Sequence, residues 1–264
     1  MAWFIARAAQ ASRQATAARI AFIAAAFFAL LFTGWASVPA RAQQGEAGLE
    51  EVDLELVLMV DASGSVDAQE YRLQRVGYIQ AFRDPRVLNA IRSGYLRKIA
   101  VALVEWTGPF RQTAIADWTV LSDDDSIAAF AARLQESPRV LYGGGTAVGA
   151  AIQYGTETID ANRFTAQRRV IDVSGDGSAT SGPPARLERD RAVAKGFVVN
   201  GLPILTDEPN LDRYYQDEVI GGPGAFMIVA KDFEDFAKAI ETKLIREIAG
   251  GKGEGGETRT AEGR

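Results

Sequence analysis

Val57-Leu58-Met59-Val60-Asp61-Ala62-Ser63-Gly64-Ser65 is the stretch that decides how this chain is read. An apolar run, the mark of a strand covered on both faces, stops at an aspartate, and two hydroxyls follow at two-residue spacing. Asp61, Ser63 and Ser65 can therefore converge where the chain leaves a buried strand. Their oxygens are hard ligands and suit a divalent cation of the magnesium class, which keeps part of its shell for water or an outside ligand. Asp-Ala-Ser-Gly-Ser is also ordinary turn chemistry between a strand and a helix, so the rest of the chain has to decide.

Outward from that stretch, the pattern alternates strand and helix. Val52 to Val60 reads as the first central strand. Asp67 with Glu70 forms a capping box, followed by an apolar stripe of Tyr71, Tyr78, Ile79 and Phe82. Pro85 interrupts this helix, and a shorter piece runs to Ser93. Lys98 to Trp106 is the second strand, and the more polar, alternating Gln112 to Leu121 suits an edge hairpin partner. Asp123-Asp124-Asp125 stands where a helix should begin, and negative charge there complements the helix dipole.

Gly143-Gly144-Gly145-Thr146 precedes a helix whose buried face is Val148, Ala151, Ile152, Gly155 and Ile159. Glycines allow close backbone approach, and the threonine hydroxyl falls at the helix start. No Gly-Lys-Ser/Thr follows, which argues against a phosphate loop. Arg169 to Val173 is the third central strand and leads into Ser174-Gly175-Asp176-Gly177. Phe197 to Leu205 and Ala225 to Ala230 read as two more strands, separated by a polar helix around Leu211 to Val219. A last helix carries Phe233, Phe236, Ala237, Ile240 and Leu244.

The expected fold is α/β: a doubly wound, mostly parallel central sheet flanked by helices, with one antiparallel edge strand. Sheets of this kind bind ligands beyond the carboxyl ends of their strands, and Asp61, Ser63, Ser65, Thr146 and Asp176 all map there.

Composition bounds the chemistry. The 264 residues are 47% hydrophobic and 24% charged, as in ordinary globular proteins, and they include no cysteine and no histidine. Disulfides, thiol nucleophiles, Ser-His-Asp triads and most zinc sites are therefore excluded. Arg7, Arg13 and Arg19 without acidic neighbours, the apolar run Ile20 to Trp35, and Ala40-Arg41-Ala42 predict a signal peptide over 1–42, cleaved before Gln43. Residues 43–51 then read as a linker, 52–249 as the domain and 250–264 as a disordered glycine-rich tail. The protein is thus expected to be periplasmic or secreted, with no membrane insertion after cleavage. Loss of the leader's four arginines makes the remainder more acidic than the −5 of the whole chain, which argues against nucleic acid as partner.

The D-x-S-x-S of Asp61 to Ser65, a threonine in a later loop (Thr146) and an aspartate after a further strand (Asp176) resemble the metal-ion-dependent adhesion site of von Willebrand factor A domains. The runs Val-Glu-Trp-Thr-Gly (104–108), Ile-Asp-Val-Ser-Gly-Asp-Gly (171–177), Asn-Gly-Leu-Pro-Ile-Leu (200–205) and Val-Ile-Gly-Gly-Pro-Gly-Ala-Phe (219–226) are similar to a secreted bacterial branch of that family, described as a domain of unknown function of the DUF1194 type. The resemblance implies a non-enzymatic binding module holding Mg2+, with Mn2+ able to substitute, through Asp61, Ser63, Ser65, Thr146 and Asp176. It also implies a protein partner with an exposed Asp or Glu that completes the cation's shell. Two departures stand out: Ser178-Ala179-Thr180 replaces an asparagine-containing turn, and Glu218 replaces a frequent cysteine.

A magnesium-dependent phosphohydrolase of the haloacid dehalogenase type is the alternative, since Asp61 and Gly175-Asp176-Gly177 fit it superficially. It requires a carboxyl acid at the position of Ser63 and an aspartate near Thr180, and both are missing. Glu105 and Trp106 either line the rim of the site or pack beneath it. Asp172, inside a strand, calls for a hydrogen-bonding or cationic partner.

Overall fold

Alternation along the central strands explains why the molecule has two cores. Leu54, Leu56, Leu58 and Val60 belong to one apolar cluster with Val101 and Leu103, whereas Val57 and Met59 join Ala102, Val104, Trp106, Ile171 and Val173 in another. A strand must bury both of its faces for this to occur, and helices must cover both sides. The computed structural model describes residues 48–250. The expected signal peptide with its cleavage site, and the tail from 251 onward, lie outside the described residues.

The strands are β1 (Glu50–Glu51), β2 (Glu55–Asp61), β3 (Ile99–Trp106), β4 (Gln112–Leu121), β5 (Phe164–Thr165), β6 (Arg169–Gly175) and β7 (Val198–Pro203). Five of them form the main sheet in the order β4-β3-β2-β6-β7, parallel except for β4 against β3. This is the predicted doubly wound sheet with its antiparallel edge. The register places Asp61 opposite Trp106, and Val60 opposite Ser174, two residues short of Asp176. The carboxyl ends of the three middle strands therefore finish level.

The helices are α1 (Ala68–Arg83), α2 (Pro85–Arg92), α3 (Asp124–Glu136), α4 (Val148–Asp160), α5 (Ala185–Ala194), α6 (Leu211–Tyr214, continued by a π turn over Tyr215–Val219) and α7 (Phe236–Ile248). Both capping boxes form: Asp67 accepts from the Gln69 and Glu70 amides, and Asp123 accepts from Ser126. Phe82, Phe130, Phe236 and Leu244 bring α1, α3 and α7 onto one face of the sheet. Val148, Ile152, Ala185, Ala192 and Tyr215 bring α4, α5 and the α6 segment onto the other.

Helix α4 enters so closely that only glycine fits at Gly149, where a Cβ would lie 2.2 Å from the Pro183 carbonyl oxygen. Backbone on the other side cannot yield as a flexible side chain does. Gly149→Ala is expected to destabilise the fold by about 3 kcal/mol, read as a fall in the midpoint of chemical denaturation.

Several expectations need correction. The first strand begins at Glu55 and not Val52: the residues before it bond to both flanking chains out of register, Val52 N–H to Thr165 and Asp53 N–H to Lys98, while the Asp53 carboxylate accepts from the Leu96 and Lys98 amides. Residues 50–51, read as linker, pair in parallel with β5. Residues 225–230 form no continuous strand; they touch the sheet only at the Gly201–Met227 and Ile204–Ala230 bridges. Between those bridges stands Pro203, which has no N–H to give the Ile228 carbonyl, so the ladder is interrupted there although Ile228 N–H donates to Gly201 and Ala230 N–H to Pro203. Thr146 does not cap α4, whose N-cap is Ala147 without a side-chain bond. Phe233 lies ahead of α7, although it is buried in the same cluster as Phe236.

Candidate metal centre

Asp61 is the last residue of β2 and is fully buried. The chain turns at once, and its Oδ1 accepts the Ser63 amide at 2.7 Å, an Asx turn that the two-residue spacing dictates. The Ser63 and Ser65 hydroxyls lie 3.1 Å apart, and Ser65 Oγ donates to Asp176 Oδ1 at 2.8 Å. Four of the five sequence-predicted residues thus form one linked cluster spanning the ends of β2 and β6. Thr146 lies on the same rim without bonding to the other four. A Cβ built on Gly177 would have the Thr146 hydroxyl as its nearest contact, at 4.0 Å.

Backbone ties hold the three loops together. Gly64 N–H donates to the Gly144 carbonyl at 3.2 Å. Thr180 N–H donates to the Thr146 carbonyl at 2.8 Å, and Thr146 N–H returns a bond to Thr180 Oγ1 at 2.9 Å. The departure at 178–180 therefore has a function of its own, because Thr180 fastens the Asp176 loop to the Thr146 loop. Glu218, the other departure, is a half-buried partner of the Arg186 guanidinium.

Each aspartate uses Oδ1 within the protein and leaves Oδ2 buried without a hydrogen-bond partner. Such orphaned acceptors are costly, and two of them on one rim beside three hydroxyls form a donor set that suits a hard divalent cation. Among the described residues there is no cluster of three or more acidic side chains able to hold a metal, so a cation here would rest largely on neutral oxygens. Burial, and then the neighbouring Asp176 charge, push the Asp61 carboxyl up to about 7. Burial also raises Asp176, against the Ser65 bond that lowers it.

These shifts have a measurable sign. Without divalent cations, native Asp61 holds its proton more tightly than the unfolded chain, whose value is 3.8, so stability falls as pH rises from there through about 7. In chelator, Asp61→Asn is expected to remove a drop on the order of a few kcal/mol between about pH 4.5 and about pH 7.5. Thermal melts of wild type and variant across that range check it.

Arg139 and Tyr215 were not foreseen from the sequence, and Glu105, read as lining the rim or packing beneath it, ties the rim loops together. Arg139 donates to the carbonyls of Ala62, Val66 and Asp67 and also to that of Leu141, so one guanidinium joins the Asp61 loop to the segment leading to Thr146. Glu105, fully buried, accepts from Arg75 and from the Val140 and Leu141 amides. Tyr215, also fully buried, has its hydroxyl unpartnered near Asp61; a Cβ on Gly175 would meet Asp61 Oδ2 at 2.8 Å and this hydroxyl at 3.1 Å. Trp106 is buried in the second core cluster, which makes it packing beneath the site.

The sequence matches the family model described as Protein of unknown function (DUF1194) over residues 51–252. No curated protein matches it. Among solved structures, the chain is similar to the pilus adhesin SpaC from Lactobacillus rhamnosus GG, at 16% identity and TM-score 0.56 over 76% of this chain and 31% of that one. It is also similar to a von Willebrand factor type A protein from Catenulispora acidiphila (18%, TM-score 0.53, 75% and 43%). A third is proximal thread matrix protein 1 from the mussel byssus with a zinc-occupied MIDAS motif (16%, TM-score 0.51, 75% and 46%). The chain spans less than half the length of each of these, and identities this low carry the fold alone.

Proposed function

The chain belongs to the DUF1194 family, and from that membership, its von Willebrand A fold and its open rim of carboxylates and hydroxyls we propose that it is an exported binding module with a metal-ion-dependent adhesion site. The observation that carries this reading is the pair of buried, unpartnered Oδ2 atoms of Asp61 and Asp176 beside three hydroxyls. Asp61, Ser63, Ser65, Thr146 and Asp176 would hold the ion, Mg2+ by preference and Mn2+ as a substitute, since oxygen ligands without histidine or cysteine favour hard cations. The zinc-occupied motif of the byssus protein supports the view that sites of this class accept divalent cations. Held by only two anionic residues, the ion would supply residual positive charge for a partner's Asp or Glu.

We read the site as a binder because Ser63 stands where a phosphohydrolase needs a carboxyl acid, and a hydroxyl cannot donate and recover a proton near neutral pH as a carboxyl does. Purified protein with magnesium should turn over no generic phosphomonoester; turnover abolished by Asp61→Asn would restore the enzymatic alternative. Export follows from the arginine-rich leader and Ala40-Arg41-Ala42, and the similarity to adhesins supports it. The binding reading is tested by passing an extracytoplasmic fraction over immobilised protein. Partner should be retained with magnesium, released by chelator, and not retained by Asp61→Ala. Retention indifferent to both treatments would contradict it.

A further inference from the structure

Beneath the rim, between β6 and α7, three ionisable side chains are sealed in the core. Asp172, Lys243 and Glu247 are each 1% exposed or less. Lys243 and Glu247 lie one turn apart on α7, and Asp172 reaches them from the middle of β6. Lys243 Nζ donates to Glu247 Oε1 at 2.6 Å and stands 2.8 Å from Asp172 Oδ1. The two contacts differ in kind. The bond to Glu247 is shared with Asn200, whereas Asp172 meets only the ammonium and has no neutral donor beside it. The Lys243 ammonium thus lies against both carboxyls at once. The Phe226 ring sits 4.9 Å from Nζ, and Asn200 Nδ2 anchors Glu247 Oε1 at 2.9 Å.

With both carboxyls ionised the pocket would carry one uncompensated negative charge, which is expensive in the interior and which a proton on Asp172 removes. We propose that Lys243 and Asp172 become joined by a side-chain amide bond in the folded protein, with Glu247 as the proton carrier. Burial followed by the Glu247 charge pushes the Asp172 carboxyl up to about 7, which favours the neutral acid. Against burial, the Asp172 and Glu247 charges hold Lys243 above the usual lysine range, so its proton has to pass to Glu247 before the amine can attack.

In the reaction, the Lys243 ammonium passes one proton to the Glu247 carboxylate, and the freed amine adds to Asp172 Cγ. Glu247 relays a proton from the added nitrogen to the departing hydroxyl, the Cγ–O bond breaks, and one water leaves. The products are an amide, a water and a protonated Glu247, so atoms and charge balance and no oxidant is needed. The pocket is left without formal charge. Groups held this close reach effective molarities of about 10⁵ M or more, which overcomes the ordinary reluctance of acids and amines to condense. The chain has no cysteine, so this bond would be its means of fastening α7 covalently to the sheet.

Mass spectrometry of the purified full chain decides the matter. Once the amino terminus has been read, the denatured wild type should weigh one water less than its sequence. Trypsin should release peptide 170–186 joined to peptide 239–246, with cleavage at Lys243 blocked. Lys243→Arg should abolish the link, Asp172→Asn should form it with loss of ammonia in place of water, and Glu247→Gln should lower the linked fraction about tenfold. A wild-type chain of full mass, yielding 170–186 and 239–243 as separate peptides, would overturn the proposal whether or not any variant folds, and would leave the three residues as a buried ion network.

Discussion

Glu105→Ala is expected to destabilise the protein by about 3–5 kcal/mol, the range for breaking a buried ion pair from one side. Glu105 is fully buried at the end of β3 and accepts from the Arg75 guanidinium at 2.8 Å and from the Tyr71 hydroxyl at 2.5 Å. Its other oxygen accepts the Val140 and Leu141 amides at 3.2 and 3.3 Å. Truncation would leave a largely buried guanidinium and two backbone donors without their acceptor, each paying for its lost hydration. The damage would not stay local, because Val140 and Leu141 lead directly into the Gly143-Gly144-Gly145 loop that carries Thr146. Denaturant titration should show the loss in full for Ala and a smaller one for Gln, which keeps an acceptor. A change below about 1 kcal/mol in the Ala variant would mean that this carboxylate is not the anchor its contacts describe.

The sheet was readable because a strand buried on both faces has to be continuously apolar, and Val57 to Val60, Ile99 to Val104 and Val170 to Val173 are close to that. Asp61 and Asp176 could be placed for the same reason: a carboxylate that ends such a run falls on the carboxyl edge wherever the strand sits in the sheet. The geometry around them was not readable. Arg139 and Glu105 bind the rim loops through contacts distant in sequence, and no local pattern encodes them. Asp172 called for a hydrogen-bonding or cationic partner, but Lys243 lies on a different element, so the sequence could state the need without naming the residue.

Failures of the reading have equally specific causes. Helix α5 escaped notice because Ala185, Glu188 and Ala192, its buried residues, give almost no apolar stripe. Residues 225–230 have the composition of a strand, yet Pro203 on β7 has no N–H to complete the ladder between the two bridges. Tyr215 was submerged in a polar helix and became visible only when the π turn brought its hydroxyl beside Asp61.

The central claim is that Asp61 and Asp176, with Ser63, Ser65 and Thr146, hold one divalent cation. Metal-free protein carries two buried, mutually repelling carboxylates, so a bound ion stabilises the native state by mass action. At magnesium about 100-fold above its dissociation constant the gain is about 2.7 kcal/mol. For a domain of this size that corresponds to a rise of roughly 5–10 °C in melting temperature. Asp61→Ala and Asp176→Ala should fold, melt in chelator no lower than metal-free wild type, and show no rise on adding magnesium. The decisive measurement is therefore the thermal melt of stripped wild type and both variants, with and without magnesium. A rise confined to wild type is the predicted result, and an equal rise in all three would contradict the site.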